Sequence, residues 1–413
     1  MLRALALLAV TSPAFAGVRT VAPSGADHVQ ISAAIAAARP GDVVLVRAGT
    51  YAPFAIDGFG LTVVADTQAN VVVQGPIVVQ NVPAASTVAL TGLRIGAMNT
   101  TAVTLRDCAG AVRLADLQAW VAPNAIAAAL PTVRVERCAD VALSRCTLDS
   151  AASPAAATIA GSALRATEST LAIHDSTLHG GFGLSGAASG QAGGSGGVAL
   201  DLVSGTAFVS GAILRGGPGG AGGLASTGYP GCSAFAPRPG GAGGHGLVIA
   251  PGAVARVLDA SISGGAPGLG ATTACGQHAP DGAPGAVTVG TSIAVMGSAR
   301  TLNSTPCARE GQGAGFGFRG LPGERVFLFL SDGSGQAWNP ALAGPVLVRV
   351  PFWRRVLVAT LGTEGTGSAS IPVPELGPGT SARTLFVQGL FVSPDGTGRL
   401  AAARPLVLLD AAY

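Results

Sequence analysis

Arg145, His174 and Asp175 are the residues whose types and spacing could do chemistry in this chain. Two of them belong to a column that recurs three residues before a repeating apolar position: Leu114, Arg145, Asp175, Gly211, Asp259 and Ala299. If successive units of the chain stack, Arg145 and Asp175 become vertical neighbours, with His174 beside them and His179 past the next corner. A carboxylate beside an imidazole and a guanidinium can move a proton and hold an anion. The plainer reading is an ion pair at a turn, contributing under about 1 kcal/mol when exposed, and it is preferred. Asp175 has no second carboxylate in its own unit, so the acid/base pair of glycoside hydrolysis is missing.

Other chemistries are excluded by residue type. All 24 basic residues are Arg, so a lysine Schiff base, a lysine general base and a phosphate-loop lysine cannot exist here. No nucleophile elbow, Walker loop or dinucleotide fingerprint occurs in context, and Gly-x-Gly matches inside glycine-rich stretches follow from composition alone. Six cysteines (Cys108, Cys138, Cys146, Cys232, Cys275, Cys307) show no CxxC or HxxxH spacing. Cys275 and His278 find no second ligand pair, so neither a metal nor a cofactor is expected.

The chain has 413 residues, a net charge of +3 and only 11% charged residues. That balance gives no reason to expect a nucleic-acid or anionic-membrane partner. Residues 1–16 read as a secretory signal peptide: Arg3, then apolar Ala4–Val10, then Ala14-Phe15-Ala16 in the small-x-small cleavage pattern. No segment reaches about 20 apolar residues, so a spanning helix is not expected. The protein is expected outside the cell or on its surface.

The elements that must position any site begin with Ile31, Ala34 and Ile35 on one face of a helix spanning about 28–38. Pro40-Gly41-Asp42 stops it, Val43–Val46 is a strand, and Gly49-Thr50-Tyr51 closes the unit. These residues, over about 35 positions, resemble the N-terminal cap and first coil of the pectin-lyase-like family of right-handed parallel β-helices. The resemblance implies an all-β fold with a capping helix over the open end of the coil stack. It implies little about activity, since this cap precedes many functions.

An apolar column continues at Leu117, Leu148, Leu178, Leu214, Ile262 and Leu302, at intervals of 31, 30, 36, 48 and 40. Apolar residues lie five and seven positions earlier, one face of a strand followed by a corner. Unequal units with constant strands fit stacked coils with loops on one edge. Glycine-rich inserts, about 180–197, 216–244 and 264–285, directly follow Leu178, Leu214 and Ile262. They should lie side by side, either as disordered loops or as a packed sheet of stacked glycine segments.

The β-helix is expected over 17–305, a linker over 306–323, and a small antiparallel β-sandwich over 324–413. Leu328-Phe329-Leu330-Ser331, Ile371-Pro372-Val373-Pro374 and Phe386-Val387-Gln388 resemble a module at the C-terminal end of various bacterial secreted proteins, for which no activity is implied. Export favours disulfides. Cys108 with Cys138 falls at one corner of adjacent coils, and Cys232 with Cys275 falls in adjacent inserts, though Cys275 with Cys307 competes. Cys146 and Cys307 are too far apart to bond. The composite reading is a secreted or cell-surface structural or binding protein, with a polysaccharide or cell-envelope component as partner. The alternative is a divergent polysaccharide lyase or glycoside hydrolase acting on an extracellular glycan through Arg145, His174 and Asp175. Aromatic residues are 5%, and Trp120 and the Phe352-Trp353-Arg354-Arg355 cluster read first as packing residues.

Overall fold

A computed structural model describes residues 16–122, 130–153, 158–186, 190–226, 235–350 and 354–413. The expected signal peptide, apart from Ala16, lies outside the described residues, as do Cys232 and Phe352-Trp353.

The chain winds into a parallel β-helix with three faces. The first sheet has ten strands, from Val18–Val21 through Ala111–Ala115 to Ser292–Ala294; the second and third have eight each. One coil shows the plan. Val103–Arg106 lies in the third sheet, Ala111–Ala115 in the first and Gln118–Ala122 in the second. Parallel neighbours stack in constant register, for example Val112 on Val141 and Leu114 on Leu143. Alternate side chains point inward and form one continuous apolar core. The helix Ile31–Ala37 caps the open end by burying Ile31, Ala34 and Ile35. It is shorter than the sequence implied, because the His28 N–H donates to the Thr20 carbonyl and its own carbonyl accepts from Ala22.

The expected column is correct in its middle and wrong at both ends. The true stack is Tyr51, Val73, Ile95, Ala119, Leu148, Leu178, Leu214 and Ile262. Ala119, not Leu117, occupies the fourth rung; a small residue there hides the repeat from the sequence. Leu302 belongs to no rung, since Thr301–Ser304 pairs antiparallel with Gly313–Arg319. Corners between the first and second sheets carry Gly92, Asp116, Arg145, Asp175, Gly211 and Asp259, all with positive φ. The carboxylate Asp116, not Leu114, is therefore the neighbour of Arg145.

The glycine-rich inserts form an ordered lattice instead of loose loops. Six extended segments lie in two layers and bond to each other through the backbone. Within a layer some of the glycines donate to the next coil, as in Gly183 to Pro218, Gly219 to Ala266, and Gly196 to Ala242 followed by Gly243 to Ala283. Between layers Gly217 donates to Gly197, Gly244 to Gly217 and Gly265 to Gly244. Every third residue, such as Pro218 or Ala221, faces solvent. This is the three-residue period of an extended, polyproline-like helix. Its backbone is satisfied only because no Cβ intervenes: a Cβ on Gly196, Gly220 or Gly268 would stand 1.9–2.1 Å from a neighbouring carbonyl oxygen. In the last coil Pro267 stands in register with Gly219, and Pro284 with Gly243. Proline has no N–H to offer a further segment, so these two prolines blunt the lattice edge as prolines blunt edge strands.

The C-terminal unit packs along the first sheet. The stretch expected as a linker, 306–323, is part of it: Cys307–Arg309 pairs with Gly398–Leu409, and Gly313–Arg319 pairs with Thr366–Pro372. A five-stranded and a three-stranded sheet enclose an apolar core. The five-stranded sheet turns its other face to Ala89, Ala142 and Ala172 of the β-helix, which meet Phe329, Phe386 and Leu400. Small alanines let the two sheets approach, and Gly398–Leu409 is consequently buried along nearly its whole length. Charged ties cross the junction. Arg113 donates to both carboxylate oxygens of Asp140 at 2.6 and 2.7 Å and to the Gly335 carbonyl at 3.2 Å. Arg309 holds Asp66 of the β-helix through two bonds of 3.0 and 3.2 Å.

Candidate functional site

Of the three sequence candidates, His174 is buried beneath the C-terminal unit, Asp175 is half-buried, and Arg145 is exposed at its edge. Arg145 Nε donates to Asp116 Oδ1 at 2.9 Å, and its Nη1 donates to Asn303. Asp116 is shared with Arg404, which reaches it from the sandwich and also donates to Ser144 Oγ at 3.0 Å. Asp175 accepts from Thr301 Oγ1 at 3.0 Å, while its Oδ2 is buried without a partner. Burial pushes the Asp175 carboxyl up to about 6 against the opposing pull of Thr301, Arg145 and Arg404. His174 has neither ring nitrogen hydrogen-bonded. Its ring lies 5.5 Å from Phe208, which in turn meets Trp338. Burial, helped by the Arg113 charge, pulls His174 down to about 4. Of the residues that hold these groups, Thr301, Asn303 and Arg404 carry no periodic signal in the sequence, whereas Asp116 belongs to the corner column itself.

A buried neutral imidazole makes the fold sensitive to acid. Its folded pKa is depressed, so its contribution is present above pH 6.5 and lost as pH falls toward 4; by pH 5 the loss is about 2 kcal/mol. Asp175, with a raised folded pKa, works in the opposite direction, its contribution being lost as pH rises from about 4 through 6. Comparing the native chain with His174→Leu isolates the imidazole. Thermal unfolding at pH 7.5 and 5 should show the native chain losing stability that the variant keeps; parallel shifts would show that His174 is not buried neutral.

The cysteines also depart from expectation. Cys108 and Cys138 do stack at one corner, but both are buried free thiols. Each affects the other through a shared hydrogen bond, and that bond together with burial holds the Cys138 thiol above its ordinary range. Cys146 and Cys307 are free as well, which removes the competing Cys275–Cys307 pair. Among the described residues no two cysteines form a disulfide. The expected Cys232–Cys275 staple involves a residue outside them.

The second sheet offers the open surface. Its outward row runs Gly96, Trp120, Asp149, His179, Arg215 on successive rungs. At the ordinary inter-strand spacing, Trp120 to Arg215 spans roughly 14 Å. Trp120 lies across Gly96, where a Cβ would come within 2.7 Å of the indole. The Arg94 guanidinium stands 5.9 Å from the ring centroid. His179 Nδ1 and Asp149 Oδ1 are 2.8 Å apart, both substantially exposed. The row ends where the inserts begin, so the glycine lattice flanks it. A separate cleft of about 740 Å3 opens between the β-helix and the sandwich, lined among others by Thr62, Thr87, Asp332, Arg349, Glu375 and Arg383. It contains none of the three sequence candidates.

The fold defines the class: an all-β protein built on a parallel β-helix with antiparallel sheets at its C-terminal end. No family model matches the chain, and no curated protein matches it. Among solved structures it is similar to full-length tailspike protein 2 from the Escherichia coli O157:H7 bacteriophage CAB120, with 9% identity and a TM-score of 0.17. The alignment covers 97% of this chain and 64% of that one, so the chain spans about two-thirds of the tailspike's length or slightly less. The superposition is too poor for function to be carried from one to the other.

Proposed function

We propose that this is an exported binding protein whose second-sheet row, Arg94, Trp120, Asp149, His179 and Arg215, holds an extracellular polysaccharide or cell-envelope component without cleaving it. The observation that carries the reading is the placement of polar groups. His174 is buried beneath the sandwich, Asp175 is half-buried, and Arg145, though exposed, is engaged by Asp116 and Asn303, whereas an aromatic ring and charged groups line the outward face of the second sheet. Hydrolysis or elimination needs an acid and a base that converge on the scissile bond of a bound substrate. The outward row suits an extended ligand held by stacking and charge-assisted hydrogen bonds. Secretion follows from the leader-like residues 1–16 and belongs to the same proposal.

Incubating the purified protein with pectins, alginates and glycosaminoglycans tests it. Retention on at least one polymer is expected, with Trp120→Ala weakening it about tenfold or more, the usual effect of removing an aromatic anchor. Release of shortened or unsaturated products, lost in Asp175→Ala, would replace this reading with that of a divergent lyase or hydrolase.

A further inference from the structure

The first described strand begins beside a buried carboxylate. The Gly17 N–H donates to Asp42 Oδ1 at 2.7 Å. Asp42 is 3% exposed. Its other oxygen accepts from the Arg39 N–H at 3.0 Å, and the Arg19 guanidinium stands 3.7 Å away. The Gly17 carbonyl accepts from Val43 at 2.9 Å, and Val18–Val21 then pairs with Val43–Val46. A Cβ at position 17 would come within 3.2 Å of Asp42 Oδ1, so glycine suits this approach. Ala16 lines the interdomain cleft with Asp332, Arg349, Glu375 and Arg383.

We propose that cleavage between Ala16 and Gly17 creates an α-ammonium that the Asp42 carboxylate holds, so that processing itself fastens the first strand to the β-helix. This rests on the export reading above. Water adds across the Ala16–Gly17 amide, with a leader peptidase as the catalyst. Ala16 leaves with the new carboxylate, and Gly17 keeps the nitrogen and takes a proton. An amide already 2.7 Å from a buried anion becomes a cation without moving, and the charge-assisted bond is the stronger one. Arg19 is the competing cation on Asp42, and the groups facing the vacated Ala16 side are Asp332, Arg349, Glu375 and Arg383.

An amino terminus ordinarily titrates near pH 8, and a carboxylate partner raises that value in the folded state. The stabilisation is therefore complete below about pH 8 and lost as pH rises beyond it. Three measurements test this. Mass spectrometry of the exported protein should find Gly17 first. Between pH 7 and 10 the melting temperature of the Gly17 chain should fall roughly 3 °C further than that of a chain retaining Ala16, whose charge is displaced by one residue. Asp42→Asn in the Gly17 chain should follow the Ala16-retaining profile. Coincident profiles for the Gly17 and Ala16 chains would overturn the pairing while leaving export intact. An exported chain beginning elsewhere would overturn the pairing while leaving export intact, and a chain that is not exported would overturn both. Because the Ala16 chain keeps Asp42, the comparison holds even if Asp42→Asn does not fold.

Discussion

Gly217→Ala is expected to melt the glycine lattice while sparing the β-helix beneath it. A Cβ at this position would sit 1.8 Å from the Gly181 carbonyl oxygen and 2.5 Å from its carbon. Both obstacles are backbone, so no side chain can swing aside. Gly217 also donates to Gly197 at 2.9 Å and accepts from Gly244 at 2.8 Å. Forcing the segments apart breaks those bonds and strands their partners. The cost is on the order of 3 kcal/mol, the upper range of overpacking. It falls on a region with little apolar burial and a very flexible unfolded state, so local opening should precede global unfolding. Hydrogen exchange reads this directly. Amides of the three inserts should lose protection in Gly217→Ala, whereas those of Val141–Ser144 keep theirs. Ala221→Ser, at an exposed position of the same segment, should change stability by less than about 0.5 kcal/mol. Equal protection in Gly217→Ala and the native chain would show that the lattice does not depend on glycine.

Asp140→Ala should cost about 3–5 kcal/mol, the range found when a buried ion pair loses one partner. Arg113 is 1% exposed, and its remaining acceptors would be the carbonyls of Val112, Asp140, Gly335 and Leu347. Carbonyls solvate a guanidinium but do not neutralise it, so the charge stays uncompensated in the seam between the two units. The sandwich should then detach more readily. Limited proteolysis should cut the variant near the seam at protease concentrations the native chain resists. The double variant Arg113→Met, Asp140→Leu should recover much of the loss, since replacing both charges with apolar groups removes the desolvation cost together with the attraction. A single variant with native stability and native resistance would show that the pair does not hold the seam.

How much of this was legible beforehand depends on which way a residue faces. Ile31, Ala34 and Ile35 announced the capping helix because their spacing is local and their role is to cover an end. Leu148, Leu178, Leu214 and Ile262 announced the coil stack because inward positions must be apolar in every rung. The glycine runs announced neighbouring inserts because they follow the same position of consecutive coils, although composition left open whether they would order. Leu117 and Leu302 misled because size and hydrophobicity alone do not fix register.

The sequence by itself determined the coil, its cap, the place of the inserts and the absence of lysine chemistry, all consequences of short-range periodicity or of residue type. Tertiary structure alone decided what the outward faces meet. Asp116 is claimed by Arg404 from 288 residues away, and Arg113 reaches Leu347 across 234. Contacts of that separation leave no period in the chain, because each partner is set by how the sandwich docks and not by its neighbours along the backbone. That docking buried His174 and half-buried Asp175, and it covers the first sheet, not the second sheet that carries Trp120.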